Sequence, residues 1–510
     1  MTPPPRPRRL LWPALLLLLG ASDPWVDAST QDLHGYARAA SLDLRGVVPT
    51  SDELAGIAEA GAVEDDVLDA WLSSEGFTET VVGWHQERFW NRLSINLLNR
   101  RRMGQRSGIL FVNPRSRLLR GQGQTHCGTF EADVNALNQP QSWQENDEGA
   151  RLEGWVWVDP YWNPGTPVKV CASDAQLTEV SSRGVDCATE AGHRDAECGC
   201  GPNLQWCLRG AEELRIEEAI TTDLDQRVRA LLADGAPYTA LLGSGDWHVN
   251  GASVHFFKHL AAFDEDTYGS PVPIEDLPDI PYTDDTWVSV PLGSHHDGVL
   301  TAPGWLLRHQ TNRGRANRFY GAFLCSEFLP SGTSGDGLTG NTVPTPDLQA
   351  REGCMDCHAR LEPWSAWWGR WAEAGNRYHD PDELPAYLEE CAQCANTGTA
   401  CSDVCDDYYL VDPGHADELP YVGWLRAYAF LEGDAAANPE IGPLGFVDYA
   451  DGTGGLHACV VQTTARSLLA WEAEDEDLLA EWTADFAADG DLRGLVRSIV
   501  TSPAYWGGAQ

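Results

Sequence analysis

Fourteen cysteines constrain this chain of 510 residues more than any other feature. They fall in two groups of six, at 127–207 and 354–405, with Cys325 and Cys459 standing apart. Inside the second group, Cys354-Met355-Asp356-Cys357-His358 has the spacing CxxCH, the attachment signature of a c-type haem. Two thiols three residues apart on one helical turn can each add to a haem vinyl, and the adjacent imidazole can then meet the iron. Cys and His each occur 14 times, so this pattern is expected by chance only ~0.01 times in such a chain. Setting Cys354 and Cys357 aside leaves twelve cysteines, enough for six bridges. The expected roles are therefore thioether anchors for Cys354 and Cys357, and the proximal ligand of the haem iron for His358.

Two rival uses of these cysteines stay open at this level. Cys354/Cys357 and Cys391/Cys394 form two CxxC pairs, as in a four-cysteine zinc site, although 33 residues between them is a long gap. Alternatively, all six cysteines of 354–405 form ordinary disulfides and there is no cofactor. CAQCA (391–395) lacks a following histidine and is not a second haem site. The sixth iron ligand is narrowed by the scarcity of methionine. Only Met1, Met103 and Met355 exist, and Met355 lies within the motif. The choices are a second histidine, an open site, or Met103. His379, His415 and His457 downstream and His295, His296 and His309 upstream are candidates, with His379 preferred. A histidine ligand would lower the potential relative to His/Met ligation.

Composition bears on where the chain works and what it meets. Asp and Glu number 76 against 35 Lys and Arg, a net charge of −41, which repels nucleic acid and anionic lipid and suits a basic partner protein. Arg6, Arg8 and Arg9 precede the apolar run Leu10–Gly20, and Val26-Asp27-Ala28 offers small residues for cleavage. This is the layout of a secretory signal peptide over residues 1–28. The run is shorter than the ~20 residues of a spanning helix, so no membrane span is expected after processing. The expected location is periplasmic or extracellular, where disulfides persist.

Apolar periodicity predicts a mainly α fold, with helical domains and a cysteine-rich β insertion. The N-terminal helical region covers 29–105, with a capping box at Thr50–Glu53 and apolar spacing from Asp65 to Leu98. Residues 106–210 change to Gly, Asn, Trp and Cys with alternating runs (GWVWVDPYW, PVKVCA), which read as strands. Their six cysteines suggest three bridges, although Cys198, Cys200 and Cys207 could instead hold a metal. A helical region and a Pro/Asp-rich linker cover 211–290. The CxxCH-bearing, cytochrome-like domain with its Cys-rich loop covers 291–415. A C-terminal helical domain of three helices covers 416–510, one of them carried by Trp424, Leu425, Tyr428 and Leu431, another by Val460, Leu468 and Trp471.

Other constellations are weaker. Ser294-His295-His296-Asp297 sets Ser, His and Asp side by side, which does not let them converge as a catalytic triad. The His295-His296 tandem is a possible metal pair. Trp364, Trp367, Trp368 and Trp371 are expected on one helical face, as core or as the wall of a haem edge.

Four stretches carry a family likeness: SLDLRGVVPTSDEL (41–54), GDWHVNGASVHFFKH (245–259), GVLTAPGWLLRHQTNRGRANRFYGAFLCSEFL (298–329) with REGCMDCHARLEP (351–363), and HACVVQTTARSLLAW (457–471) with DLRGLVRSIVTSPAY (491–505). Together they make up about one-fifth of the chain, spread along most of its length, and the sequence resembles the planctomycete-type cytochrome c proteins, large exported multidomain proteins. Cys325 matches a cysteine of that family. The chain departs from it after CxxCH, where Glu362-Pro363-Trp364 stands in place of an Asp-Pro-Leu-Gly-Phe stretch. The resemblance and the motif together imply an exported mono-haem c-type cytochrome-like protein that passes single electrons to a redox partner protein. An open sixth site would permit peroxidase-like chemistry, so the sequence leaves enzyme activity undecided. The alternative is a non-enzymatic, disulfide-stapled or zinc-binding extracytoplasmic scaffold or interaction protein.

Overall fold

The structure, a computed structural model, describes residues 28–90, 92–93, 101–112, 126–243, 245–326, 345–469 and 476–508. Residues 1–27 of the expected signal peptide, residues 94–98 of the N-terminal region and Trp471 lie outside them. The fold is mainly α-helical with three small sheets. Among the described residues, no helix is long and apolar enough to cross a membrane.

The N-terminal region forms helices Ala28–Arg45, Ser51–Ala60, Asp65–Leu72 and Glu75–Phe89. The capping box at Thr50 is present in both directions: Glu53 N–H donates to Thr50 Oγ1 (3.2 Å) and Thr50 N–H to Glu53 Oε2 (2.7 Å). Gly61 ends that helix at φ +71°, a conformation that favours glycine.

The largest apolar core draws on every helical region. Phe77 and Phe89 meet Leu224 and Val228 of helix Gly210–Asp234, Trp305, Phe319 and Phe323, Trp368, Phe446, and Val460 and Ile499 near the C-terminus. The chain ends are tied together. Tyr36 Oη donates to Val500 O (3.1 Å), and Tyr505 Oη donates to Asp43 Oδ2 (2.8 Å). Burial of this size drives folding, since each fully buried large apolar side chain contributes about 1.5–3 kcal/mol.

The cysteine-rich segment holds a four-stranded sheet in the order Met103–Arg106, Ile109–Val112, Val168–Cys171, Trp155–Val158. The central pair is parallel and the outer pairs antiparallel, with Trp155 opposite Cys171. The two alternating runs read as strands are therefore neighbours. Three disulfides staple the segment: Cys127–Cys171, Cys187–Cys198 and Cys200–Cys207. The last two consume the cysteines considered as a metal site, so that alternative is overturned.

Residues 211–265 are not helical throughout. Asp246–Val249 is a strand paired antiparallel with Val288–Pro291, and the Asn250 capping box then starts helix Gly251–His259. The Pro/Asp-rich stretch that follows is irregular yet packed, burying Val272, Leu277 and Tyr282. Residues 424–431 do not form the expected helix. Leu425 and Ala429 take extended backbone and Phe430 is left-handed at φ +63°, so only short 3₁₀ turns form at Ala416–Tyr421 and Arg426–Tyr428. Helices Gly455–Leu469, Glu476–Asp489 and Leu492–Val500 complete the C-terminal part, with Cys459 bridged to Cys325.

Candidate functional site

The CxxCH motif opens helix Met355–Ser365. Cys354 precedes the helix, and its carbonyl accepts from Cys357 N–H (3.2 Å) and His358 N–H (3.0 Å). This first turn brings both thiols and the imidazole to one end of the helix. All three residues are half-buried. The twelve other cysteines are paired, including Cys391–Cys405 and Cys394–Cys401, and only Cys354 and Cys357 are free. The zinc alternative built on Cys391 and Cys394 fails because both sulfurs are already bonded. The all-disulfide alternative holds for four of the six cysteines and not for the CxxCH pair.

Glu362 organises the histidine. His358 Nδ1 lies 2.5 Å from Glu362 Oε1, one turn further along the helix. Arg313, from helix Asn312–Phe323, grips both oxygens of the same carboxylate through Nε (2.6 Å) and Nη2 (2.9 Å). A carboxylate on one ring nitrogen fixes the tautomer and leaves Nε2 for a metal, as in metal sites whose histidine ligands donate their other N–H to an acceptor.

Beside this helix lies a cleft of about 650 Å³, whose lining includes Glu362, Trp371, His379, Tyr408 and Phe430 but none of Cys354, Cys357 and His358. Cofactor pockets run to about 300–1,000 Å³. His379 is the one sixth-ligand candidate on its wall. Its Nε2 is buried with no hydrogen-bond partner, and its ring meets Tyr408 edge-on at 5.1 Å. Burial, reinforced by Arg377 and Arg370, pushes its pKa down to about 4, so the ring is neutral and its free nitrogen is a competent donor.

The other candidates are engaged elsewhere. Met103 sits in the sheet core with Leu110 and Val112. His309 Nε2 donates to Phe89 O (3.0 Å), and His415 caps the Ala416–Tyr421 turn. His457 faces Asp451 (3.2 Å). His295 stacks on Tyr378 at 4.2 Å, and His296 packs against Trp371 at 5.1 Å. Asp297 Oδ2 accepts from Leu444 N–H (2.9 Å) at the start of helix Pro443–Gly452, so the Ser-His-Asp string forms no triad.

The four tryptophans all join the main apolar core, as the core alternative expected. The helix ends at Ser365 and tightens into the 3₁₀ turn Ala366–Trp368. Trp364, Trp367 and Trp368 all pack on Phe446, and Trp368 Nε1 donates to Leu300 O (2.9 Å). Of the four, only Trp371 lines the cleft.

Sequence reasoning missed Glu362 and Arg313. The i,i+4 spacing of His358 and Glu362 was a usable signal; Arg313 had none, because it arrives from another helix.

Comparison of the chain with known protein families, with curated proteins and with solved structures gives no match.

Proposed function

We propose that this chain is an exported mono-haem c-type cytochrome-like protein of the planctomycete type, working in single-electron transfer. The observation that carries this reading is selective: twelve of the fourteen cysteines are spent on bridges, and the two left free are those of CxxCH.

The residues present fit the group. Cys354 and Cys357 would hold the haem by thioethers, and His358, oriented by Glu362, would offer Nε2. His379 has a neutral ring and an unpartnered nitrogen beside the same helix, which suits a sixth ligand. Haem c supplies reversible one-electron exchange at its iron. The protein's part is to exclude water with Trp371 and Phe430, to hold the imidazole, and to set the surrounding charge. The strongly acidic composition favours docking to a basic redox partner protein. Six bridges favour an oxidising compartment, hence the periplasm or exterior.

The test is an intact-mass measurement and absorption spectrum of the secreted product after co-expression with haem-attachment machinery. The expected result is an added ~616 Da and a Soret band. Colourless protein, with Cys354 and Cys357 joined to each other or gripping zinc, overturns the proposal in favour of a stapled scaffold.

A further inference from the structure

A second cleft, of about 880 Å³, opens where helices Glu75–Phe89, Asn312–Phe323 and Gly455–Leu469 meet. Among the described residues, three arginines line it, Arg88, Arg318 and Arg466, against a single carboxylate, that of the exposed Glu87. This is unusual in a chain with a net charge of −41, where most cations could find an acidic neighbour. None of the three makes an ion pair among the described residues. Arg88 Nη1 donates to Tyr238 Oη (2.8 Å), and its Nη2 reaches Thr463 Oγ1. Arg318 donates to the carbonyls of Glu87 and Arg88 and stacks over Trp90 at 3.8 Å, and its buried Nε has no partner. The hydroxyls of Thr463 and Ser467 complete the polar wall.

We infer that this cleft is a binding site for a small molecule bearing a phosphate or carboxylate group, separate from the CxxCH site and independent of the haem reading. The physical case has three parts. Guanidiniums drawn together without counter-ions repel one another, and Arg318 shows it: burial lowers its pKa to about 10, aided by Arg88 and Arg308. A bound oxyanion removes that repulsion and accepts charge-assisted, bidentate hydrogen bonds. The walls are also fixed in advance, which reduces the ordering that binding requires. Cys325–Cys459 joins the chain just after the Arg318 helix to the helix carrying Arg466, and Thr463 Oγ1 donates to Cys459 O (2.9 Å). The volume suits a small molecule, within the usual range of about 300–1,000 Å³.

The test uses the full secreted chain, with inorganic phosphate and succinate titrated separately by calorimetry at constant ionic strength. Arg466 is exposed and, among the described residues, makes no hydrogen bond or ion pair that a substitution would break, so Arg466→Glu is the primary variant, with Arg88→Gln as the second. A thermal melt establishes that each variant is folded. Saturable binding of either probe, weakened about tenfold or more in the variants, is the expected result. Preference for phosphate or for succinate assigns the ligand class. No binding of either probe, or equal binding to parent and variants, overturns the site. Neither result bears on haem attachment.

Discussion

His358 Nδ1 and Glu362 Oε1 sit 2.5 Å apart, and Arg313 grips both oxygens of the same carboxylate. A ring nitrogen bonded to a carboxylate is a stronger electron donor through its other nitrogen than one bonded to a neutral group. Replacing Glu362 with Gln therefore raises the midpoint potential of the haem-loaded protein while the mass increment stays, since both thiols remain. Redox titration of the intact protein checks this. An unmoved potential sinks the role given to Glu362.

Arg315 predicts a large stability effect. It is fully buried and donates to five carbonyls, those of His309, Leu306, Trp371, Ala372 and Gly375, and to Asn312 Oδ1. It thereby locks helices Pro303–Arg308 and Asn312–Phe323 to the segment that follows Trp371. Arg315→Met strands these acceptors and should lower stability by about 3 kcal/mol or more. Arg315→Lys should rescue only part, because three ammonium protons cannot span the same fork. Urea melts of both variants give the answer, and a loss below about 1 kcal/mol for Met would contradict it.

Three buried histidines set the acid response. Burial is the main cause holding His85, His296 and His309 down at about 3. Unfolded, each takes a proton near its ordinary value of about 6.5; folded, it does not until about 3. Stability is therefore full above about pH 6.5 and falls as pH drops toward 3, by up to about 1.4 kcal/mol per pH unit for each group. Asp297 opposes this with one group, since burial raises it to about 6 and its folded form keeps a proton that the unfolded chain releases. His255, His259, His295 and His379, also held down chiefly by burial, act in the same sense as these three, and Glu213 joins Asp297, so the balance is a net loss. Urea midpoints should be lower at about pH 5 than at about pH 7.5. A flat profile would mean these rings protonate while folded.

Cys325–Cys459 spans 134 residues. Closing so long a loop restricts the unfolded chain, so the double Cys325→Ser, Cys459→Ser variant should lose about 2–4 kcal/mol. Denaturant unfolding of parent and variant under non-reducing conditions measures it. Equal midpoints would place the benefit of this bridge elsewhere.

Local signals in the sequence read through to structure, and longer-range ones did not. The Thr50–Glu53 capping box and the strands at Trp155–Val158 and Val168–Cys171 depend on residues close in sequence, and they form where expected. The parity of the twelve remaining cysteines matched six bridges, although spacing could not say which cysteine joins which. At 424–431 the aromatic and apolar spacing mimicked a helix, while the extended backbone of Leu425 and Ala429 and the left-handed Phe430 break it. Of the site, Cys354, Cys357 and His358 were legible as a motif. The cleft was not, because its walls come from segments tens of residues apart, such as Trp371, Tyr408 and Phe430. Arg315 was equally hidden: within NRGRANRF it looks like one more surface cation, and only tertiary packing shows that it is enclosed.

Leaving one vicinal dithiol open among a dozen oxidised sulfurs has a consequence for how the molecule matures. In chain order that dithiol stands between Cys325 and the nested pairs of 391–405, so during biogenesis either sulfur, once deprotonated, can attack a partner not meant for it and scramble the connectivity. If the proposed haem attachment caps Cys354 and Cys357, it must come early relative to oxidation of their neighbours, and chains that miss it should accumulate as mispaired isomers.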